Sequence, residues 1–156
     1  MTLEMAKVAS SLGDMEMTEK LLKKAVQNNH NDDEFLNAVT QVLHKSDLDI
    51  DPEDFVSDLR KGVIEMNNRG VKLLQAGKLD DAVAMFDEAA EQMSTNVIIT
   101  TNTVRALLTR MENQGSNNAD LFKVRQFLER LKRIDSDEST YQKLVIRLKK
   151  IVQRQG

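Results

Sequence analysis

Two glycines seven positions apart, Gly70 and Gly77, constrain this chain more than any other feature. A helical pattern of apolar residues runs up to Gly77, and a second helical pattern follows it. Glycine accepts the positive φ that ends a helix, so Gly77 predicts a tight turn between two helices. Small and large side chains then recur at helical spacing along the second helix: Ala82, Phe86 and Ala89. This order favours a closely packed hairpin, because small residues let two backbones approach and large residues fill the grooves.

The same order returns in weaker form 64 residues earlier, and again after the hairpin. In the earlier copy Gly13 occupies the turn, and the packing positions hold Ala6, Thr18, Leu22 and Ala25. In the later copy the packing positions hold Thr100, Thr103, Val104, Leu107, Val124, Leu128 and Leu131. Repetition of one hairpin along a chain is typical of stacked helical repeats.

These copies resemble the tetratricopeptide repeat family, whose stacked hairpins form a curved surface that binds other proteins. The resemblance covers residues 66–96 best, then 2–32, then 97–137. The run from Glu65 to Val71, followed by Gly77–Ala82, also resembles the C-terminal repeat region of certain bacterial response regulators. That resemblance implies an output domain downstream of a phosphoacceptor receiver, although the chain lacks the β/α alternation of a receiver itself. Because helical sequence begins almost at Met1, we expect a neighbouring segment before it.

Long segments without helix breakers predict an all-α domain of about eight helices spanning residues 1–156. The chain has only one proline and six glycines, which favours helix over strand. On the first helix, one side carries Met5, Val8, Ala9 and Leu12. The expected hairpins are residues 2–27, 33–62, 63–93 and 97–134, with polar loops at 112–118 and 135–138. A helix over 139–153, with Lys143, Arg147, Lys149 and Lys150 on its outer face, is expected to cap the array.

One long helix is expected to join two of these hairpins. Asp51 and Pro52 form a strong helix start, and no break follows before Gly77 although Gly62 is a weak point. A helix of about 25 residues would fuse a divergent hairpin to the best repeat. This explains why the first two good copies are 64 residues apart, when the repeat period is about 34 residues.

Several classes of function are disfavoured by composition. The chain has no cysteine, which excludes disulfides, thiolate metal sites and a cysteine nucleophile. Its two histidines, His30 and His44, lack a partner at ligand spacing, and we expect both at exposed helix ends. The aspartates from Asp47 onwards resemble the start of a calcium loop, but Pro52 stands where that loop needs glycine. We therefore expect no enzyme, metal or cofactor, and, with no signal peptide or apolar span, a cytoplasmic protein.

Charge is divided unevenly along the chain. Residues 1–60 carry a net charge of −7, and residues 61–156 carry +4. Opposite potentials could steer a partner or favour an end-to-end contact between copies, so a homodimer is one possible assembly. Chance asymmetry on a solvated surface is the alternative explanation.

The family resemblance implies a binding site on the inner surface, which the first helix of each hairpin lines. The positions that match the family's ligand-facing residues are Lys7, Asn67, Asn68, Val71, Thr101, Asn102 and Arg105. The family's carboxylate clamp needs a basic residue at Asn67 and an asparagine at Val71, so recognition of a peptide C-terminus is not expected. The resemblance implies a non-catalytic module of bacterial two-component signalling that holds a helix or extended segment of another protein. These polar residues could instead be merely solvated or stabilise loops.

A helical nucleic-acid binder is the alternative function. Residues 120–156 hold 10 basic and 5 acidic residues. The cations that could contact phosphates are Lys123, Arg130, Lys132, Arg133, Arg147, Lys149 and Lys150. The nearby aromatic residues form no evident stacking platform, so solubilising charge is the preferred explanation.

Overall fold

The computed structural model describes residues 2–134 and 137–155 of the chain. Within these ranges the backbone forms eight α-helices and no strand. They are α1 (Thr2–Ser11), α2 (Met15–Asn28), α3 (Asp33–Lys45), α4 (Pro52–Gln75), α5 (Leu79–Gln92), α6 (Val97–Gln114), α7 (Asn118–Ile134) and α8 (Glu138–Gln155). The prediction of an all-α fold of helical hairpins is confirmed. Met1 and part of the predicted 135–138 loop lie outside the described residues.

The chain divides into two compact units, residues 1–65 and 66–156, and the division falls within α4. The long helix expected from Pro52 is present as one helix that passes Gly62 and ends at Gln75. That the chain forms a single domain stays a prediction.

Local sequence explains where several helices begin and end. The side chains of Asp14, Asp32 and Asn96 each accept a hydrogen bond of 3.0 Å from a backbone N–H in the first turn of the helix that follows. Such N-caps satisfy amides that have no partner within the helix. Three glycines with positive φ follow helix ends: Gly13, Gly77 and Gly115.

The first unit has a core built from α1, α2, α3 and the beginning of α4. Its buried members are Ala6, Leu22, Ala25, Val26, Leu36, Val39, Val42 and Leu43. Against them pack half-buried side chains of α4, which include Phe55, Val56 and Leu59. On α1, Ala6 and Ala9 are buried, whereas Met5 and Val8 are exposed, as is Leu12 directly after the helix.

In the second unit α6 is the central helix, because α5, α7 and α8 all pack against it. Two of its threonines, Thr100 and Thr103, are fully buried, and their hydroxyl groups are satisfied within the protein. Thr100 donates to the carbonyl of Asn96 at 2.8 Å, and Thr103 donates to the carbonyl of Ile99 at 2.7 Å. Hydroxyl groups that bond the preceding turn of the helix can be buried without an unpaired polar atom.

The predicted loop at 112–118 is shorter than expected, since α6 continues to Gln114 and α7 begins at Asn118. Glu112 remains in the helix and accepts two hydrogen bonds from Arg147 of α8, at 2.7 and 2.8 Å. Arg147 therefore faces α6 and is not on the outer face of the capping helix. Gly115 then ends α6 with a φ of 86°.

Gly70 of α4 lies against the ring of Phe86 of α5. Phe86 is fully buried, and a Cβ added at Gly70 would come within 2.8 Å of ring atoms Cε1 and Cε2. Real Cβ atoms do not approach ring carbons this closely, so the two helices can pack here only because residue 70 has no side chain. Gly62 differs, because a Cβ there would meet no atom within 4 Å.

Gly70→Ala is expected to destabilise the fold, and Gly62→Ala to stabilise it. Alanine is favoured over glycine within a helix by about 0.5–1 kcal/mol. At Gly62 this gain is realised in full. At Gly70 the overlap with Phe86 should reverse the sign, with a net loss of about 1–3 kcal/mol. Urea unfolding followed by circular dichroism measures both changes. Two variants of equal stability would contradict the close packing of Gly70 on Phe86.

His30 is buried, so the prediction that it lies at an exposed helix end is wrong; its side chain is only 5% exposed. The backbone N–H of Asp32 donates to the carbonyl of Asn29 at 3.0 Å. This turn reverses the chain after α2, leaving Asn31 exposed and His30 buried. Burial, with a smaller contribution from the positive charge of Arg60, holds the pKa of His30 below its ordinary value of 6.5.

We expect stability to fall as the pH drops through the range in which His30 titrates. Because the folded pKa is depressed, the unfolded chain binds a proton more readily. The contribution of neutral His30 is therefore complete above pH 6.5 and is lost as the pH falls through the folded pKa. The pKa values of Glu4, Glu112 and Asp137 are lowered from 4.5 or 3.8, so they titrate below this range.

Urea midpoints measured between about pH 7.5 and 5.5 test this expectation. The decline should be shallower in His30→Gln than in the wild type. Identical slopes for the two proteins would show that His30 is not the responsible group.

Candidate interaction surfaces

In the second unit, α4 and α6 bring three of the predicted inner-surface residues together. The amide nitrogen of Asn102 donates to the side-chain oxygen of Asn67 at 2.6 Å. Nη1 of Arg105 donates to the side-chain oxygen of Asn102 at 3.3 Å. Asn102 is only 9% exposed, whereas Arg105 is exposed. The hydrogen-bonding groups of Asn102 are thus used within the protein, and Arg105 is the member of the trio best placed to meet a partner.

The other predicted residues of this unit differ in accessibility. Thr101 is 6% exposed and Val71 is half-buried, so both contribute more to packing than to an open surface. Asn68 is exposed on α4. Asn68 and Arg105 are therefore the polar positions of the predicted set that remain open here.

Lys7, the remaining predicted residue, lies in the first unit and lines a polar pocket between α1 and α3. The pocket has a volume of about 510 Å³. We call it the lysine pocket, and its polar residues are Lys7, Ser10, Ser11, Gln41, Lys45 and Asp47. Lys7 also pairs with Glu4 at 2.7 Å, and its side chain remains 49% exposed. Lys45, the other lysine of the pocket, is also exposed, so both lysines can reach a bound group.

Among the described residues that line the lysine pocket, Lys7 alone belongs to the binding site predicted from the sequence. In the hairpin assignment α1 and α3 are the first helices of successive hairpins, and they were expected to line the inner surface. That expectation could have directed attention to Gln41 and Lys45, but the repeat pattern in α3 is too divergent to align its ligand-facing positions. Only the placement of α1 beside α3 in the structure brings these residues together.

The basic residues of the C-terminal third are partly neutralised by ion pairs. Lys123 pairs with Asp87 at 2.6 Å, Arg130 with Glu91 at 3.6 Å, and Arg147 with Glu112 at 2.7 Å. Arg130 also stacks over Phe127, with its guanidinium carbon 4.8 Å from the ring centre. Three of the seven candidate phosphate contacts are therefore engaged within the protein, which weakens the nucleic-acid hypothesis.

No group of three or more potential metal ligands occurs among residues 2–134 and 137–155. His44 bonds Glu53 at 3.1 Å, and both side chains are more than half exposed. Of the helices described, none has the length and apolar character needed to cross a membrane.

No protein-family model, curated protein or solved structure matches the chain. The tetratricopeptide and response-regulator resemblances therefore stay hypotheses that rest on the residues of the chain itself.

Asn102→Ala should lower the free energy of unfolding by about 1 kcal/mol, because it removes a largely buried hydrogen bond between two helices. Arg105→Ala, at an exposed position, should change it by less than about 0.5 kcal/mol. Urea unfolding of the two variants measures the difference. Equal effects would contradict the assignment of Asn102 to structure and Arg105 to an open surface.

Proposed function

We propose that this chain is a non-catalytic module that binds a helix or extended segment of another protein. The observation that carries the proposal is the lysine pocket. It opens between two helices of the same unit, is lined by side chains that can donate and accept hydrogen bonds, and includes a residue at a ligand-facing position of the repeat family. Exposed polar side chains on rigid helices favour recognition of a partner over chemistry.

The pocket favours a partner segment that carries a carboxylate. Two lysines and one aspartate line it, and Lys7 also pairs with Glu4 at 2.7 Å, so a bound carboxylate would replace Glu4 as the partner of Lys7. The first unit as a whole is acidic, and its field would repel an acidic partner at long range. At physiological ionic strength charges are screened over about 8 Å, so the acids of the unit that lie far from the pocket act weakly, and Asp47 and Glu4 are the acids that compete for the two lysines. A carboxylate placed between Lys7 and Lys45 would form charge-assisted hydrogen bonds.

We further propose that the module serves bacterial two-component signalling as an output or scaffold domain. The support is the resemblance of residues 65–71 and 77–82 to the repeat region of response regulators. In that role, binding of the partner would transmit the state of a receiver without any catalytic step in this chain. Identification of a two-component protein among specific partners would support the assignment, and its absence among them would count against it.

The double variant Lys7→Glu/Lys45→Glu is expected to lose the partner, because it places negative charge where the proposal requires positive charge. The matched control is Lys23→Glu, which reverses an exposed lysine of α2 outside the pocket. Immobilised wild type and variants would be exposed to lysate of the source cell, and retained proteins quantified by mass spectrometry. A protein specific to the wild type and the control should show at least about tenfold loss in the double variant.

Binding of that purified protein to each variant would then be measured by titration. Equal affinity for wild type and double variant would overturn the pocket assignment. Retention of nucleic acid alone, reduced by Lys149→Glu/Lys150→Glu, would instead favour the basic surface of the C-terminal third.

A further inference from the structure

The outer side of α1 forms an apolar surface that no part of the described chain covers. Met5 is 55% exposed, Val8 is 59% exposed and Leu12 is 78% exposed. With neighbouring side chains of α2 they line a groove of about 580 Å³, whose apolar members are Met5, Val8, Ala9, Leu12, Met17 and Leu21. We call this the α1–α2 groove. Residues 5, 8, 9 and 12 follow the spacing of a helix face that packs against another helix. Isolated exposed apolar residues are common, but a contiguous groove marks an interaction surface.

A second apolar groove lies between α7 and α8, in the other unit. It has a volume of about 680 Å³, and its apolar members are Leu128, Tyr141, Val145, Leu148 and Val152. We call this the α7–α8 groove. Val152 is 41% exposed, so the apolar surface is accessible. Leu144 and Ile151 of α8, by contrast, are buried.

The charged residues at the two grooves are complementary. Glu4 and Asp14 line the α1–α2 groove, and no basic residue of the described chain does. Arg125 and Lys149 line the α7–α8 groove, together with a single acid among the described residues, Glu129. The units that contain the two grooves also carry opposite net charges, −7 for residues 1–65 and +4 for residues 66–156. When two apolar surfaces meet, opposite charges around them attract the partners and fix their relative orientation.

We propose that the α1–α2 groove of one copy of this chain binds the α7–α8 groove of a second copy. A symmetric contact between two α1–α2 grooves would place Glu4 and Asp14 of one copy beside the same acids of the other, so the charges oppose it. The unlike pairing places these acids beside Arg125 and Lys149. Because each copy offers both grooves, the contact is heterologous and can propagate into rings or longer chains. It uses a surface separate from the lysine pocket and does not depend on the proposed function.

The proposal predicts assembly that grows with protein concentration. Sedimentation velocity of the full chain from about 5 to 500 µM should show a rising average mass, which falls when salt is raised from about 0.05 to 0.5 M. Leu12→Glu should raise the concentration needed for assembly at least about tenfold, because it buries a charge in an apolar contact. Phe122→Glu is the matched control, since Phe122 is 62% exposed on α7 but lines neither groove. Circular dichroism would establish that both variants fold.

A charge exchange tests which groove meets which. Glu4→Arg and Lys149→Glu should each weaken assembly, because each places like charges together at the contact. Mixed in equal amounts, the two variants should associate with one another, since the arginine introduced at position 4 of one faces the glutamate introduced at position 149 of the other. The other contact of the pair, between Glu4 of the Lys149→Glu variant and Lys149 of the Glu4→Arg variant, keeps its native charges, so the mixture should form assemblies in which the two variants alternate.

Three outcomes would overturn the proposal. The first is a monomer at every concentration. The second is assembly that Leu12→Glu abolishes but Lys149→Glu leaves unchanged, which would indicate a symmetric α1–α2 contact. The third is assembly that Phe122→Glu weakens as strongly as Leu12→Glu, which would place the interface elsewhere on α7.

Discussion

The packing of Phe86 on Gly70 is the constraint on which the second unit depends. Phe86 is wholly buried, and its ring occupies the space that any side chain at residue 70 would need. Glycine within a helix costs about 1 kcal/mol relative to alanine, whereas burial of a phenylalanine side chain contributes about 1.5–3 kcal/mol, so the close approach is favourable. The carbonyl of Phe86 also accepts a hydrogen bond of 3.2 Å from Thr103 of α6. One aromatic residue thus connects α4 and α5 to the central helix of the unit.

Many polar groups of the second unit stabilise the fold internally and are not free to bind partners. Asp120 is 4% exposed and accepts two hydrogen bonds from Arg110, at 2.6 and 3.1 Å. This contact raises the pKa of Arg110, which stays charged. Such a buried pair contributes little net stability, but loss of one partner would leave an uncompensated charge. The number of basic residues in the sequence is therefore a poor guide to binding here, because several of them form ion pairs with acidic residues of another helix.

Sequence periodicity predicted most of the fold because it reports local properties. The starts of α3 and α4 follow from Asp32 and from Pro52, and each acts within one turn of helix. Two of the failures arose where the decisive partner is distant in sequence. Arg147 binds Glu112 in the last turn of α6 from 35 residues away, and Asn67 binds the side chain of Asn102 from the same distance. No local pattern contains that information, so the extent of α6 and the accessibility of the candidate site required the three-dimensional arrangement.

Helix α1 shows why periodicity alone cannot separate a core from an interface. Its buried side and its exposed apolar side have the same helical spacing, and only the placement of α2 distinguishes Ala6 from Leu12. The helix also lines the lysine pocket, so the two proposed contacts use neighbouring surfaces of one element. Their direct connection is the ion pair of Glu4 with Lys7, in which both side chains are about half exposed or more. An exposed pair is well screened by water and salt, so occupation of one surface should influence the other only weakly. The proposed partner recognition and the proposed self-association should therefore respond independently to substitutions on the same helix.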